Sequence, residues 1–465
     1  MNQRSGKKLI YVSLGSITLL IIFLNAGLSI PQQKSWKAGV AEEVMTPKEP
    51  LWMAGYANRD RPSEGTLVDL WTKVLALEDA EGKQSVLITM ELRGIPKAFS
   101  DNIRDQLKAK YGLSRAQIIL NVSHTHSGPV LSGPLVDIYP VHPEQREKIE
   151  KYTVELENKI IRLVGKALNS MEPVQLYSGN GLARFQVNRR NNNESEINST
   201  TDLNGPNDYA VPVIKAVGRS GKIKAIAFGY ACHNTVLSGY KWSGDYSGYA
   251  QIELEKEYPG AMAMFFQGCG GDQNPLPRRT EQLARQYGMT LAASVQSVIV
   301  GEMKQLEPRL STAYKEFELP LSTPPSKAEL VKMVNEYKDH PKRWAARLLS
   351  QVERGEPLMT SYPYPLQIWR LGDQTLMTMG GEVVVEYAIQ LKRIYGEDIF
   401  VLAYSNDRMG YIPSELILKE GGYEGATSIM TGDLPSPWAP GIEALILRQM
   451  EQLAEQTGVL KSLQK

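Results

Sequence analysis

Histidine and cysteine are scarce in this chain of 465 residues, with five of the first, at 124, 126, 142, 233 and 340, and two of the second, Cys232 and Cys269. One bridge is the most that two cysteines can form, so the core has to hold without a disulfide framework. Surplus charge is missing too. The 52 Lys and Arg against 51 Asp and Glu leave a formal net charge of +1. Near neutrality, with no basic run in the body of the chain, argues against a nucleic-acid partner. No internal repeat or low-complexity linker divides residues 35–465, which read as one large domain able to bury its own core. No glycine spacing matches a phosphate loop or a dinucleotide fingerprint.

One long apolar run is present, Leu9 to Ile30, preceded by Arg4, Lys7 and Lys8. Its length suits a membrane span and also a long signal-peptide core, so residues 1–34 read as a signal peptide or an N-terminal membrane anchor. Positive charge ahead of the run predicts a cytoplasmic N-terminus, with the rest exported to a periplasmic or extracellular space. Leu24-Asn-Ala26 is a passable cleavage site, while Ala-x-Ala is absent, and no nearby cysteine offers a lipid anchor.

Helical and strand patterns alternate through the remainder. Leu70–Glu78, Ser85–Glu91, Gln117–Val122, Val174–Ser178, Ala225–Tyr230, Ala261–Phe266, Leu366–Met379 and Phe400–Tyr404 read as strands. Helices are expected at Ser100–Tyr111 behind a serine cap, and at Pro143–Met171 with Ile149, Tyr152, Leu156, Ile160, Val164 and Leu168 on one stripe. Further helices fit Ser247–Tyr258, Glu281–Met303, Val383–Arg393 and Gly441–Thr457. The pattern predicts an α/β fold of mixed, layered sheets with flanking helices. Asn188–Asn207 reads as an exposed loop. Ser326–Arg354 is a charged, helix-prone insertion that either packs on the core or forms a lid or membrane-facing surface.

The chemistry starts at Asn121-Val-Ser-His-Thr-His-Ser-Gly-Pro129. His124 and His126 follow an apolar strand, and side chains two apart on a strand share a face. Two imidazoles converging at a strand end are the start of a zinc site; a polar surface turn is the competing reading. His233 lies in Ala-Cys-His-Asn-Thr after another strand. Ala261-Met-Ala-Met-Phe-Phe-Gln-Gly-Cys-Gly-Gly-Asp-Gln-Asn-Pro275 is a strand that breaks into a glycine turn. Gly380-Gly-Glu382 follows a third strand, and Glu382 either supplies an anionic oxygen to a metal or simply favours a helix N-terminus. Tyr411 and Tyr423 stand among glycines after a fourth.

In this order, Ser-His-Thr-His-Ser-Gly-Pro, a later His-x-Thr, a Gly-Asp turn, Gly-Glu before a helix, and Tyr411 separated by eleven residues from Tyr423-Glu-Gly-Ala resemble the neutral/alkaline (non-lysosomal) ceramidase family. Ala38-Gly-Val, Met45-Thr-Pro and Met53-Ala-Gly-Tyr-Ala-Asn58 add to the resemblance, which runs from about residue 36 to 430. It implies a zinc amidohydrolase that cleaves ceramide into sphingosine and a fatty acid. His124, His233, Glu382 and Tyr411 match the family's zinc ligands. His126 matches its non-ligand histidine, and Tyr423 its substrate-side tyrosine. Asn188-Arg189 matches its arginine, with Arg184 and Arg190 as competitors. In the mechanism implied, zinc lowers the pKa of a bound water, His126 moves the proton, and Tyr423 and Arg189 stabilise the oxyanion. A lipid substrate and a membrane surface are the implied partners.

Two departures from the family's pattern stand out. Asn274 occupies the place of a serine in the Gly-Asp turn, which rules out a serine-type nucleophile there. The chain also stops after the helix expected at 441–457, where the family typically continues into an immunoglobulin-like domain. Two rival readings remain: a zinc hydrolase of the same fold acting on another N-acyl amide, ester or lactone, and a non-catalytic membrane-anchored binding protein.

Overall fold

The computed structural model describes residues 35–133, 138–199 and 202–462, together with Met1 and Gly6. The run Leu9–Ile30 lies outside the described residues. Among those described, no helix is long and apolar enough to cross a membrane.

Two sheets carry the fold. The larger runs from edge to edge through Met262–Gln267, Ile223–Tyr230, Ala210–Gly218, Glu172–Leu182, Trp36–Val44, Trp71–Glu78, Gln84–Met90 and Ile118–Val122, with Lys304–Leu306 beside Glu172–Leu182. Neighbours are antiparallel except at the two ends. There Met262–Gln267 lies parallel to Ile223–Tyr230, and Ile118–Val122 parallel to Gln84–Met90. Parallel neighbours need a crossover, and each pair has its helix, Asp245–Glu257 for the first and Lys97–Tyr111 for the second. The smaller sheet orders Leu310–Pro320, Ser361–Leu371, Gln374–Met379 and Phe400–Leu402.

Alternation along the strands divides the core. In Met262–Gln267, Ala263 and Phe265 face the helices Asp245–Glu257 and Glu281–Val300, while Met262, Met264 and Phe266 meet Trp369, Leu376 and Phe400 of the smaller sheet. The far side of the smaller sheet is covered by the helix Ile442–Thr457, whose Ile446, Met450 and Leu453 are buried. The expected α/β class of layered mixed sheets with flanking helices holds.

The larger sheet curls until its edges meet, and this creates the site. Gln267 donates its N–H to Asn121 Oδ1 at 2.8 Å across the gap. The segment after Phe400–Leu402 fills that gap: Ala403 N donates to Gln267 O (3.1 Å) and Asn406 N to Leu120 O (2.7 Å). The C-terminal ends of strands from both edges and from the smaller sheet therefore open onto one place.

Three expectations shift. The first helix begins at Lys97 after Pro96, because proline suits a helix start and leaves Ser100 inside the first turns, buried. Leu366–Met379 is a hairpin, Ser361–Leu371 and Gln374–Met379, turning at Gly372 with φ 64°. The insertion forms helices Lys327–Glu336 and Asp339–Glu353, which bury Leu330, Trp344 and Leu348 against Ile429 and Met430. Trp36–Val44, Ala210–Gly218 and Leu310–Pro320 are strands that the sequence pattern does not announce.

Candidate metal centre

The strand Ile118–Val122 ends before His124, so strand alternation is not what orients the histidine pair. His124 has φ 61°, a left-handed conformation rare for a residue with a side chain. That turn buries its ring completely, sets Nδ1 on the carbonyl of Arg93, and brings Nε2 to 3.2 Å from His126 Nε2. Gly55 (φ 119°) lies over His126, and a Cβ there would come 2.5 Å from His126 Cγ, so only glycine fits. Tyr56 meets the His126 ring edge-on, with centroids 4.9 Å apart.

His233 arrives from the other sheet edge. Its backbone N–H donates to Gln273 O (3.0 Å), and its Nδ1 lies 2.6 Å from Gly270 O. A carbonyl oxygen can only accept, so His124 and His233 must each carry their proton on Nδ1. Their Nε2 lone pairs are left facing the centre, the arrangement that a carbonyl on the other ring nitrogen imposes on metal-ligating imidazoles. His126 has no such anchor, since its buried Nδ1 lacks a hydrogen-bond partner.

Glu382 is fully buried and sits in the short strand Glu382–Val383, paired in register with Tyr411–Ile412. It stands ahead of the helix Val385–Tyr395 but makes no hydrogen bond to that terminus, where Val385 N donates instead to Asp272 Oδ1 of the Gly-Asp turn at 2.9 Å. Glu382 Oε1 accepts from Arg408 Nε (2.8 Å) and Nη2 (2.5 Å). Its Oε2 has no hydrogen-bond donor, yet lies 3.2 Å from His124 Nε2 and 3.5 Å from His233 Nε2. Tyr411 Oη is 3.3 Å from His233 Nε2.

Acceptor atoms thus face acceptor atoms in a dry pocket. Burial lowers the pKa of His124 and holds that of His233 at about 3, so neither is a cation at neutral pH. Burial would raise the carboxyl of Glu382, yet it lies well below the usual carboxylate range; with both imidazoles neutral, the Arg408 guanidinium on Oε1 is the cation that holds it there. Three inward lone-pair donors, one of them anionic, share a single proton within reach, the Tyr411 O–H beside His233 Nε2, and this leaves polar groups unsatisfied at a cost. A divalent cation removes that cost, and nitrogen and oxygen donors in this mixture suit zinc. His124, His126 and His233 also form a compact set, with one nitrogen of each within 4.8 Å of the others.

Arg189 is the arginine at the centre. Its Nη2 donates to Tyr411 Oη (3.0 Å), its Nε to Glu424 Oε1 (2.8 Å), and its Nη1 makes a longer bond of 3.4 Å to Asn274 Oδ1. Arg184 lies instead on the ring of Tyr209, and Arg190 pairs with Glu420 and Glu424. The expected loop at 188–207 begins against a short ladder, Gln186–Asn188 on Gln273–Pro275, which puts Asn274 beside Arg189. Tyr423 is 45% exposed, with its ring 5.4 Å from Tyr411. It lines a cavity of about 430 Å³ together with Arg189, Asn274 and Leu276.

The structure brings His124, His126, His233, Glu382, Tyr411, Arg189 and Tyr423 to this place. Four more belong to it that sequence reasoning left unassigned: Arg93, Arg408, Tyr56 and Tyr404, whose ring lies 4.5 Å from His124. Tyr56 stands inside Met53–Asn58, one of the stretches that carried the resemblance, and Arg408 lies three residues ahead of Tyr411, which is the signal that could have found them. Arg93 and Tyr404 offer none. Cys232 and Cys269 are both buried and unbridged. His142 and His340 lie away from the centre, just ahead of one helix and inside another.

Fold and site together define an α/β protein with a buried histidine–carboxylate centre able to hold a metal ion. The family model for the neutral/alkaline non-lysosomal ceramidase N-terminal domain matches residues 36–282, and the chain belongs to that family. Among solved structures, the fold is similar to neutral ceramidase from Pseudomonas aeruginosa, with a TM-score of 0.70 at 18% identity over 93% of this chain and 76% of that one. It is similar also to a ceramidase complexed with C2, with a TM-score of 0.71 at 17% identity over 93% and 77%.

Proposed function

We propose that this chain hydrolyses the amide of ceramide, giving a sphingoid base and a fatty acid, at a centre where His124, His233, Glu382 and Tyr411 hold one zinc ion. The observation that carries the reading is the donor-less Glu382 Oε2, which lies 3.2 Å from His124 Nε2 and 3.5 Å from His233 Nε2. When bound, zinc supplies a Lewis acid that lets a water ionise near neutral pH. His126 is the base. Burial first of all, reinforced by its cationic and histidine neighbours, keeps its pKa well below the usual value, so the ring is neutral and free to take the water's proton. It then returns that proton to the departing amine nitrogen.

Arg189 and Tyr423 line the same cavity and donate to the oxyanion that forms on the amide carbonyl. Asn274 offers no nucleophile. The apolar run Leu9–Ile30 supports an exported enzyme, delivered to or tethered at the membrane where its lipid substrate lies.

Metal analysis combined with turnover of a long-chain N-acyl sphingoid base tests this. The expectation is one zinc per chain and loss of both zinc and activity in His124→Ala. Bound zinc with no turnover would point to the binding-protein reading, and preferential turnover of short amides, esters or lactones to a different hydrolase. A second ligand reading has its own support in the His126–His124 spacing of 3.2 Å, with His126 completing a three-histidine set. His126→Ala separates the two: zinc retained with turnover lost supports the base, and zinc lost supports the ligand.

A further inference from the structure

Two groups assigned above to the oxyanion come from segments far apart in sequence, and one side chain joins them. Glu424 follows Tyr423 directly and is only 5% exposed. Its Oε1 accepts from Arg189 Nε at 2.8 Å, and its Oε2 from Arg190 Nη1 at 2.7 Å. The carboxylate is thereby shared between two consecutive arginines on the segment that leaves the ladder at Asn188. The turn that delivers it is built for close approach. Gly421 and Gly422 have φ of 71° and 73°, and a Cβ on Gly422 would come 3.3 Å from Arg190 Nη1.

With Nε held by Glu424, the Arg189 fork has one remaining orientation that uses its other donors. Nη2 reaches Tyr411 Oη and Nη1 reaches Asn274 Oδ1, while the guanidinium carbon lies 5.5 Å from the Tyr411 ring and 5.7 Å from the Tyr423 ring. An arginine with five donors and several rotamers needs such a fixed point to present one of them repeatedly.

We propose that Glu424 is a positioning residue for the amide hydrolysis proposed above, pinning Arg189 in place and locking the Tyr423 turn onto the Asn188–Arg190 segment. It does not touch the reacting atoms. It sets the geometry of two groups that do, and misplacing such groups by about 1 Å costs on the order of 10²-fold in rate. The inference rests on the ceramide-hydrolysis reading for its kinetic part and on the contacts alone for its structural part.

The test is a double-mutant cycle in the full-length chain. Glu424→Gln keeps the size of the side chain and removes its charge. Expected is a fall in kcat of about 10–100-fold, with zinc content unchanged and KM altered by less than about threefold. In an Arg189→Ala background the same change should cost several-fold less than in the wild type, because the pinned group is gone and only the hold on the Tyr423 turn through Arg190 is left to lose. Full kcat in Glu424→Gln, a loss that simply adds to that of Arg189→Ala, or a loss of zinc would each overturn the proposal. A second readout does not depend on turnover. The Arg189 Nε–H resonance should be restrained and slow to exchange in the wild type, and free in Glu424→Gln. If the chain hydrolyses no N-acyl amide, the functional reading fails while this resonance still decides whether Glu424 holds Arg189; an unrestrained wild-type signal would overturn the pin itself.

Discussion

At the scale of single residues, two histidines that look alike in sequence are set in different surroundings by one backbone carbonyl. Arg93 O fixes the proton of His124 on Nδ1 and turns Nε2 inward, whereas His126 Nδ1 has no such partner. Replacing His124 or His233 by alanine should therefore abolish zinc binding, read by metal analysis. His126→Ala should keep the metal and slow turnover by about 10²–10⁴-fold. Arg408 makes a finer test, since it takes one oxygen of Glu382 and leaves the other for the ion. Arg408→Met should weaken zinc affinity by about 10–100-fold in a chelator competition, the usual cost of losing an outer partner of a ligand; unchanged affinity would show that Glu382 needs no such support. His124 and His233 stood out because histidine is rare and both follow strands, while Glu382 and Tyr411 joined them as candidate ligands only through the resemblance. The supporting arginines were not, because one of many arginines carries no signal until a carboxylate lies beside it.

At the scale of elements, three strands that lead into the site were readable, while the short ladders that hold Glu382, Tyr411 and Asn274 were not. Ile118–Val122, Ile223–Tyr230 and Met262–Gln267 are short apolar runs, buried on both faces. Trp36–Val44 and Leu310–Pro320 mix buried and exposed positions without clean alternation, and so escaped. The curl that joins the sheet edges was invisible, since it rests on contacts such as Asn121 to Gln267, 146 residues apart. For the helical insertion, the packed alternative wins over a loose lid. Trp344 is buried and its indole N–H donates to Leu434 O at 3.0 Å. Trp344→Ala should cost about 3–5 kcal/mol in denaturant unfolding, and amides around Trp344–Leu348 should exchange slowly. Fast exchange there would favour a mobile lid.

At the scale of the whole molecule, burial of unused carboxyls gives stability a pH dependence of defined sign. Burial pushes Glu91 and Asp407 up to about 7 and Asp245 up to about 6. Each binds its proton more tightly folded than unfolded, so its contribution is fully present below about pH 4 and is lost as pH rises through about 6–7. Glu91 accepts from Trp71 N and Gln251 Nε2 beneath the His124–Gly128 loop. Glu91→Gln should gain stability over the wild type between pH 5 and pH 7.5, at matched zinc, by about 2–3 kcal/mol at most; parallel Tm profiles would contradict this. The central claim is that one zinc at His124, His233, Glu382 and Tyr411 makes an amide hydrolase of this fold. The most direct measurement follows zinc content and long-chain N-acyl sphingoid hydrolysis in the same full-length preparation, before chelation, after chelation, and after zinc is restored. The account predicts one zinc per chain, with activity lost and regained in step with it. Full hydrolysis by the zinc-free chain would contradict it.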